Sequence, residues 1–240
     1  MSSPRRRPQV KAASPPEPRK SSRASKSRIL VVDDHPLMRL AVREILRDQS
    51  DLLICGEASD AVSALRLVKE TQPHLIILDL SLGQDFGLEL IKQITKSDAS
   101  WRILVLSIYD ESLYAERALR AGARGYLNKR EPPEIILAAI RSVLTGKIYL
   151  PPDAVDQVLH RLSGVKDPGA ELAGAEQLSD RELQTFELLG MGIASREIAR
   201  RLHLSLKTVE VYRERIKHKL GLKGSAELMR RAVEWVLSHS

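Results

Sequence analysis

Ile29-Leu30-Val31-Val32-Asp33-Asp34 decides the fold. Four apolar residues in a row, three of them β-branched, suit a strand buried on both faces, as in a parallel sheet. The run then stops on two carboxylates. Similar short runs recur at Leu52–Gly56, Leu75–Leu78, Ile103–Leu106 and Gly125–Leu127. Between them the apolar residues return at spacings of three and four, as in Leu40, Ile45 and Leu46, or Leu113, Ala118 and Ala121, or Ile135, Ile136, Ala139, Ile140 and Val143. Strands and helices in strict alternation predict a doubly wound, flavodoxin-like α/β domain with five parallel strands over residues 28–145. Sheets of this kind bind ligands outside the C-terminal ends of their strands.

The residues at those ends are unusual as a set. Asp33 and Asp34 end the first strand, Asp79 the third and Ser107 the fourth, and Lys129 follows the fifth. An aspartate after a strand is often just the cap of the next helix. Three carboxylates on one rim, however, repel one another unless a cation lies among them. Oxygen donors with no histidine or cysteine suit a hard ion, Mg²⁺ or Mn²⁺. A hydroxyl and an ammonium beside that ion supply a hydrogen-bond donor and a counter-charge for a phosphoryl group.

The 240-residue chain has a formal charge of +7, unevenly spread. Residues 1–28 carry +8, residues 29–176 carry −5 and residues 177–240 carry +4. A segment of Ser, Pro, Arg and Lys over 1–27 cannot bury enough apolar surface to order itself and reads as a basic arm. It could add sequence-independent attraction to DNA phosphates, or serve only as a solubilising leader. Pro15, Pro16 and Pro18 spoil the amphipathic helix of a transit peptide. The single cysteine, Cys55, excludes an internal disulfide and a cysteine-based zinc site. No apolar run approaches the roughly 20 residues of a membrane helix, so a soluble, cytoplasmic protein without a membrane partner is expected. Residues 146–176, with Gly146, Gly164, Pro168, Gly169 and Gly174, read as a flexible linker holding one short amphipathic stretch from Val155 to Leu162.

Residues 177–240 read as four helices. Ser179 and Glu182 have the spacing of a capping box, and Leu183, Phe186 and Leu189 supply its apolar stripe. Ile198, Ala199 and Leu202 mark a second helix. The tight turn His203-Leu204-Ser205 leads to a third with Val209, Tyr212, Ile216 and Leu220, and Ser225 can cap a fourth with Leu228, Ala232 and Trp235. Two short helices about a tight turn form a helix-turn-helix pattern. Lys207, Arg213, Arg215, Lys217, His218 and Lys219 load the later helix with cations suited to phosphates.

Val31-Val32-Asp33-Asp34-His35-Pro36, Ile76-Ile77-Leu78-Asp79-Leu80, Val105-Leu106-Ser107 and Gly125-Tyr126-Leu127-Asn128-Lys129 resemble the receiver domain of two-component response regulators. The resemblance implies that Asp79 accepts a phosphoryl group from a histidine kinase. It implies Mg²⁺ held directly by Asp34, through water by Asp33, and by Asp79 and the main-chain oxygen of Ser81. Ser107 and Lys129 would contact the phosphoryl oxygens, and Tyr126 would be the aromatic that turns inward on activation. The chemistry agrees, since a carboxylate displaces a phosphoryl group in line when a metal ion and Lys129 neutralise the charge. Gly83 and Phe86 depart from the family's usual Pro and Asp; the glycine should loosen the loop, while Ile108 and Tyr109 could restrict access to Asp79. His35 reads simply as the start of a helix.

Leu178-Ser179-x-Arg181-Glu182, Ile198-Ala199, Lys207-Thr208-Val209-Glu210 and Lys219-Leu220-Gly221 resemble the LuxR-type DNA-binding domain, with Tyr212 where that family usually has His. The pair of domains resembles the NarL/FixJ regulators. On the third helix, Lys207, Thr208, Glu210, Val211 and Glu214 would face the groove. Glu210 could accept from cytosine N4 and Val211 touch a thymine methyl. The plainer alternative for both glutamates is an ion pair along the helix, Glu210 with Arg213 and Glu214 with Lys217 or His218. Lys207, Arg213, Arg215 and Lys217 would grip the backbone. A homodimer on promoter DNA, controlled by phosphorylation, is the expected function; a regulator that binds DNA regardless of phosphorylation is the alternative. An Asp-nucleophile phosphatase would need an acid where Ser81 stands, so no turnover enzyme is expected. A pure adaptor does not explain the basic third helix.

Overall fold

The computed structural model describes residues 26–83, 85–109, 111–152, 154–155, 174–202 and 204–238. Residues 1–25 of the basic arm, most of the amphipathic stretch from Val155 to Leu162, Gly164, Pro168, Gly169 and His203 lie outside them, while Ser27, placed in the arm by its composition, opens the first strand. The first half is a five-stranded parallel sheet of β1 (Ser27–Val32), β2 (Leu52–Ala58), β3 (Leu75–Leu78), β6 (Ile103–Ser107) and β7 (Gly125–Asn128), in the order β2-β1-β3-β6-β7. The helices are α1 (Pro36–Arg47), α2 (Ala61–Thr71), α3 (Gly87–Ser97), α4 (Glu111–Ala121) and α5 (Pro133–Leu144).

Strand alternation sends Ile29 and Val31 to one face and Leu30 and Val32 to the other, and both faces are covered. Ile29, Val31, Ile77, Leu104 and Leu127 meet Val42 and Leu46 of α1 and Ile136, Ile140 and Val143 of α5. Leu30, Val32, Ile76, Leu78 and Val105 meet Ala64 and Val68 of α2, Ile91 and Ile94 of α3, and Tyr114 of α4. Local signals place the helix starts. Pro36 opens α1, and the Asp60 side chain accepts the Ser63 N–H at the head of α2.

The loop after β3 is more ordered than its glycine suggested. Ser81–Leu82 and Asp85–Phe86 pair antiparallel as the short strands β4 and β5. Gly83 lies in their turn at φ +56, which a proline could not adopt. The glycine therefore sets the turn and does not merely loosen it. At Gly87 a Cβ would stand 2.4 Å from the Asp79 carbonyl oxygen, so only glycine lets α3 begin so close to the end of β3.

The start of the expected linker also belongs to the sheet. The Tyr126 N–H donates to the Tyr149 carbonyl, and the Tyr149 N–H donates to that of Arg124, each at 3.0 Å. This backbone pairing fixes the chain beside β7 past residue 146. A flexible tether was expected from residue 146, but the aromatic Tyr149 packs against the core below it.

The second half holds α6 (Asp180–Gly190), α7 (Ser195–Arg201), α8 (Leu206–Lys219) and α9 (Ser225–Ser238). The capping box at Ser179 and Glu182 forms, and Ser205 caps α8 by accepting from the Thr208 N–H. Leu183, Phe186, Ile198, Val209, Ile216, Leu228, Ala232 and Trp235 are buried together.

The two halves share an interface built on α6. Its Gln184, Thr185 and Glu187 are buried although polar. Tyr114 Oη donates to Glu187 at 2.7 Å, and Gln184 donates to Tyr109 Oη at 3.0 Å. Asp180 accepts from Arg117 at 2.8 Å and stands 3.2 Å from Lys92. The Arg181 guanidinium lies 5.3 Å from the centre of the Phe86 ring, within cation–π range. Phe86, the departure in the loop, is thus fully buried between Tyr109, Tyr114 and this cation.

Candidate functional site

The ends of β1, β3, β6 and β7 bring the expected five residues into one pocket. Lys129 Nζ is 2.7 Å from Asp79 Oδ2 and 2.8 Å from Asp33 Oδ2. The other oxygen of Asp33 accepts the His35 main-chain N–H at 2.8 Å. Asp33 is therefore spoken for on both oxygens. By contrast, Asp34 Oδ1 and Asp79 Oδ1 are buried and have no hydrogen-bond partner. Two unsatisfied carboxylate oxygens facing one pocket are costly unless a cation completes them. All-oxygen donors of this kind fit Mg²⁺ or Mn²⁺. Ser107 is fully buried at the end of β6, and Ser81 stands in β4, two residues past Asp79.

Burial pushes the Asp79 carboxyl up to about 6 even though Lys129 pulls it the other way. Burial alone would lower Lys129, but Asp79 and Asp33 outweigh it and keep the ammonium charged. Asp79 is thus ionised at pH 7 and able to attack. The sign of its effect on stability follows. A carboxyl whose pKa is higher folded than unfolded stabilises the fold when protonated, and that contribution is lost as pH rises from about 4 through about 6. Without divalent ions, Asp79→Asn should therefore be more stable than wild type by about 3 kcal/mol at pH 7. The gap should shrink towards zero near pH 4, and Mg²⁺ should narrow it at pH 7. Denaturant melts at both pH values check this; a mutant less stable at pH 7 would contradict the buried-charge account.

A chain of aromatic groups leads away from the pocket. Tyr126 is fully buried, close to Ser107, and its Oη donates to the Tyr109 carbonyl at 3.0 Å. The Tyr109 ring stacks on Tyr114 at 4.9 Å, and both hydroxyls meet α6. Burial is the main cause that raises Tyr109 to about 12 and Tyr114 well above 10, so both remain protonated donors.

On the second half, α8 turns Lys207, Val211, Glu214 and Arg215 to solvent. Lys207 and Arg215 have no ion-pair partner among the described residues. Glu210 pairs with Arg213 at 3.1 Å and Glu214 with Lys217 at 2.8 Å. Arg213 also donates to Ser195 Oγ, and Thr208 shares a hydrogen bond with Ser205.

Residues 29–141 match the profile of the response regulator receiver domain, and residues 176–232 match that of the bacterial regulatory proteins of the LuxR family. Oxygen regulatory protein NreC of Staphylococcus carnosus is 34% identical over 212 residues, covering 86% of this chain and 97% of that protein. Response regulator UvrY of Escherichia coli is 35% identical over 205 residues, covering 85% and 93%. The chain is a response regulator of the NarL/FixJ type. Among solved structures, a LuxR-family response regulator from Aurantimonas is 33% identical with TM-score 0.54, covering 58% of this chain and 99% of that one. RcsB of Salmonella enterica serovar Typhimurium, bound to promoter rprA in the presence of the phosphomimetic BeF3⁻, shares the fold at 24% identity and TM-score 0.60, over 87% and 99%.

As a response regulator, the chain joins a receiver to a LuxR-type helix-turn-helix and regulates transcription by binding DNA. No helix among the described residues is long and apolar enough to cross a membrane. Several details differ from expectation. Tyr126, the expected switch aromatic, lies inward here, its hydroxyl donating to the Tyr109 carbonyl. Ile108, expected to restrict Asp79, is 60% exposed and points to solvent. Lys219, counted among the cations for phosphate, is tied to Glu182 at 2.6 Å and to the Gln177 carbonyl. Sequence reading missed the roles of Tyr114, Gln184 and Glu187; the one available signal was a glutamate and a glutamine on an otherwise apolar stretch of α6.

Proposed function

We propose that this response regulator takes a phosphoryl group on Asp79 from a histidine kinase, with a divalent ion bound by Asp34, Asp79 and the Ser81 main-chain oxygen, and by Asp33 through water. The observation that carries this reading is the pairing pattern of the carboxylates. Asp79 Oδ1 is buried with no hydrogen-bond partner, and Asp34 Oδ1 is buried with only the His35 imidazole beside it at 2.7 Å, while the oxygens of Asp33 are both paired. Mg²⁺ supplies charge neutralisation when bound. Lys129 neutralises Asp79, one carboxylate oxygen of which would attack while the other stays on the ion; Ser107 and Lys129 then receive the phosphoryl oxygens. The chain discharges its own phosphoryl group and turns over no external substrate, as a cytoplasmic regulator does.

The same reading assigns residues 28–145 to the receiver, 146–176 to the connection and 177–240 to DNA binding, with 1–27 as the basic arm. Lys207, Arg215, Arg213 and Lys217 would hold backbone phosphates, and Thr208, Glu210, Val211 and Glu214 would face the bases. The ion pairs of Glu210 and Glu214 favour a positioning role for both, which leaves Val211 as the better base reader. Lys207→Ala should weaken binding on all DNA sequences and flatten its salt dependence by about one counterion. Val211→Ala should instead relax preference at one or two base pairs. Titrations of two operators at several salt concentrations separate the two, and the reverse pattern would mean that α8 sits rotated in the groove.

One module of this size reads few base pairs, so two copies on adjacent half-sites are needed for useful specificity. A receiver that clamps α6 fixes where its own α8 can point and so opposes pairing. Phosphoryl transfer would draw Ser107 towards Asp79, shift the Tyr126–Tyr109 pair and release α6. Light scattering and operator titration with and without a phosphodonor test this switch: tighter, dimeric binding is expected with it. The inward Tyr126 favours the second reading, in which DNA binding ignores phosphorylation; equal mass and equal affinity in both states would establish that reading instead.

A further inference from the structure

Four of the five strands of the receiver sheet are entered through a basic residue. Lys26 precedes β1, His74 precedes β3, Arg102 precedes β6 and Arg124 precedes β7; the edge strand β2 alone is preceded by an acid, Asp51. Because the strands are parallel, these residues share the N-terminal rim, at the far end of the sheet from Asp79. Lys147 extends the row, for it lies two residues before Tyr149, which pairs alongside β7. With neighbouring strands about 4.8 Å apart, the row from Lys26 to Lys147 spans about 19 Å.

The charges in this row are not neutralised. Among the described residues, Lys26, Arg102, Arg124 and Lys147 have no carboxylate partner. Arg28, just inside β1, donates to the Thr71 and Gln72 carbonyls, which leave its charge in place. Of the nearby acids, Asp51 pairs with Arg141 at 3.2 Å, and Asp98 accepts the Ser100 N–H at 2.8 Å. Burial pushes the His74 imidazole below its ordinary pKa, and Arg28 and Arg102 push it further. Composition does not explain the row, because residues 29–176 carry −5 as a whole. Cations gathered on one rim of an acidic domain repel one another, and folding gains nothing from the arrangement. A polyanion would relieve it. The chain also enters this rim from its most basic segment, so the +8 of residues 1–28 is continuous with it.

We propose that the N-terminal rim of the receiver, from Lys26 through Arg102 and Arg124 to Lys147, is a second DNA-binding surface, which holds the phosphate backbone of duplex beyond the base pairs read by α8. Phosphates of one strand rise about 3.4 Å apiece along the duplex, so a row of this length passes several of them. Arginine and lysine on phosphates give affinity and position without reading sequence. Nucleic acid is the polyanion that fits, because the LuxR-type domain brings duplex DNA to the same molecule.

The test titrates the full chain into a long duplex of mixed sequence and follows fluorescence anisotropy at several salt concentrations. The triple variant Arg102→Gln, Arg124→Gln, Lys147→Gln should flatten the slope of log affinity against log salt by about 2.7, at about 0.9 for each contact. Between about 50 and 200 mM salt, wild type should therefore lose about 40-fold more affinity than the variant. Lys207→Ala on α8 should flatten the slope by about 0.9, and the two sets should add because the surfaces are separate. The three side chains have no carboxylate partner to lose, so the triple variant should melt no lower than wild type. Arg102→Lys with Arg124→Lys should keep the wild-type slope, since it keeps the charges. A triple variant with the wild-type slope overturns the second surface, whereas a normal slope for Lys207→Ala overturns the placement of α8 and leaves the rim standing. Vesicles containing phosphatidylglycerol offer the other extended polyanion. Loss of vesicle binding in the triple variant with an unchanged DNA slope would assign the rim to a lipid surface and overturn the proposal.

Discussion

Incubated with Mg²⁺ and acetyl phosphate, the full chain gains the mass of one phosphoryl group, and Asp79→Asn gains none. The expected loss is complete because no other residue combines what Asp79 does. Its carboxylate is ionised at pH 7 in spite of burial, one oxygen is held by Lys129, and the other is unpartnered and faces the pocket. Asp33 lacks a free oxygen, and Asp34 lacks the ammonium. In the reaction, one carboxylate oxygen of Asp79 forms the new bond to phosphorus as the bond to acetate breaks, and acetate leaves with the electron pair. Because a neutral amide relieves the buried charge, Asp79→Asn should fold at least as well as wild type, so absent labelling cannot be blamed on unfolding. Intact mass measurement of both proteins reads the result. Equal labelling of the two would place the phosphoacceptor elsewhere.

The pocket was legible because each of its parts is written locally. An apolar run that stops on Asp33-Asp34, Asp79 or Ser107 marks both a buried strand and the residue at its C-terminal end. The parallel sheet then aligns those ends without further information. The capping box at Ser179 was equally local. What stayed hidden depends on surfaces that periodicity assigns to different domains. Tyr114 falls on the apolar stripe of α4 and reads as ordinary core, whereas its hydroxyl is satisfied by Glu187 from the other domain. Phe86 reads as a lapse from the receiver pattern until Arg181 is seen over its ring. Tyr149 looked like linker because composition does not reveal an extra backbone pairing with β7. In each case the missing information was a contact partner far along the chain, and a single sequence does not record partners.

The second large effect is expected at that hidden contact. Glu187→Ala removes the acceptor of the buried Tyr114 hydroxyl, and the defect exists only while α6 is clamped against the receiver. Leaving a buried hydroxyl unsatisfied costs about 1–3 kcal/mol. At about 1.4 kcal/mol per factor of ten, the clamped population should fall about five- to 140-fold relative to the released one. Once released, the Tyr114 hydroxyl and the position of residue 187 both face water, so neither domain loses stability of its own. Without any phosphodonor, Glu187→Ala should therefore bind an operator at least about fivefold more tightly than wild type, provided the clamp limits binding by a comparable amount. Its scattering profile should also become more extended. Phosphodonor should add less to the variant than to wild type, because the same release has already been made. Tyr114→Phe tests the same bond from the receiver side: it removes the hydroxyl that Glu187 accepts from and should shift binding in the same direction, while the ring continues to pack on Tyr109. If both variants keep wild-type affinity and wild-type compactness, α6 is not what restrains DNA binding. If they become extended without gaining affinity, the clamp holds the domains together but does not control pairing, and phosphorylation must act through another surface of the receiver.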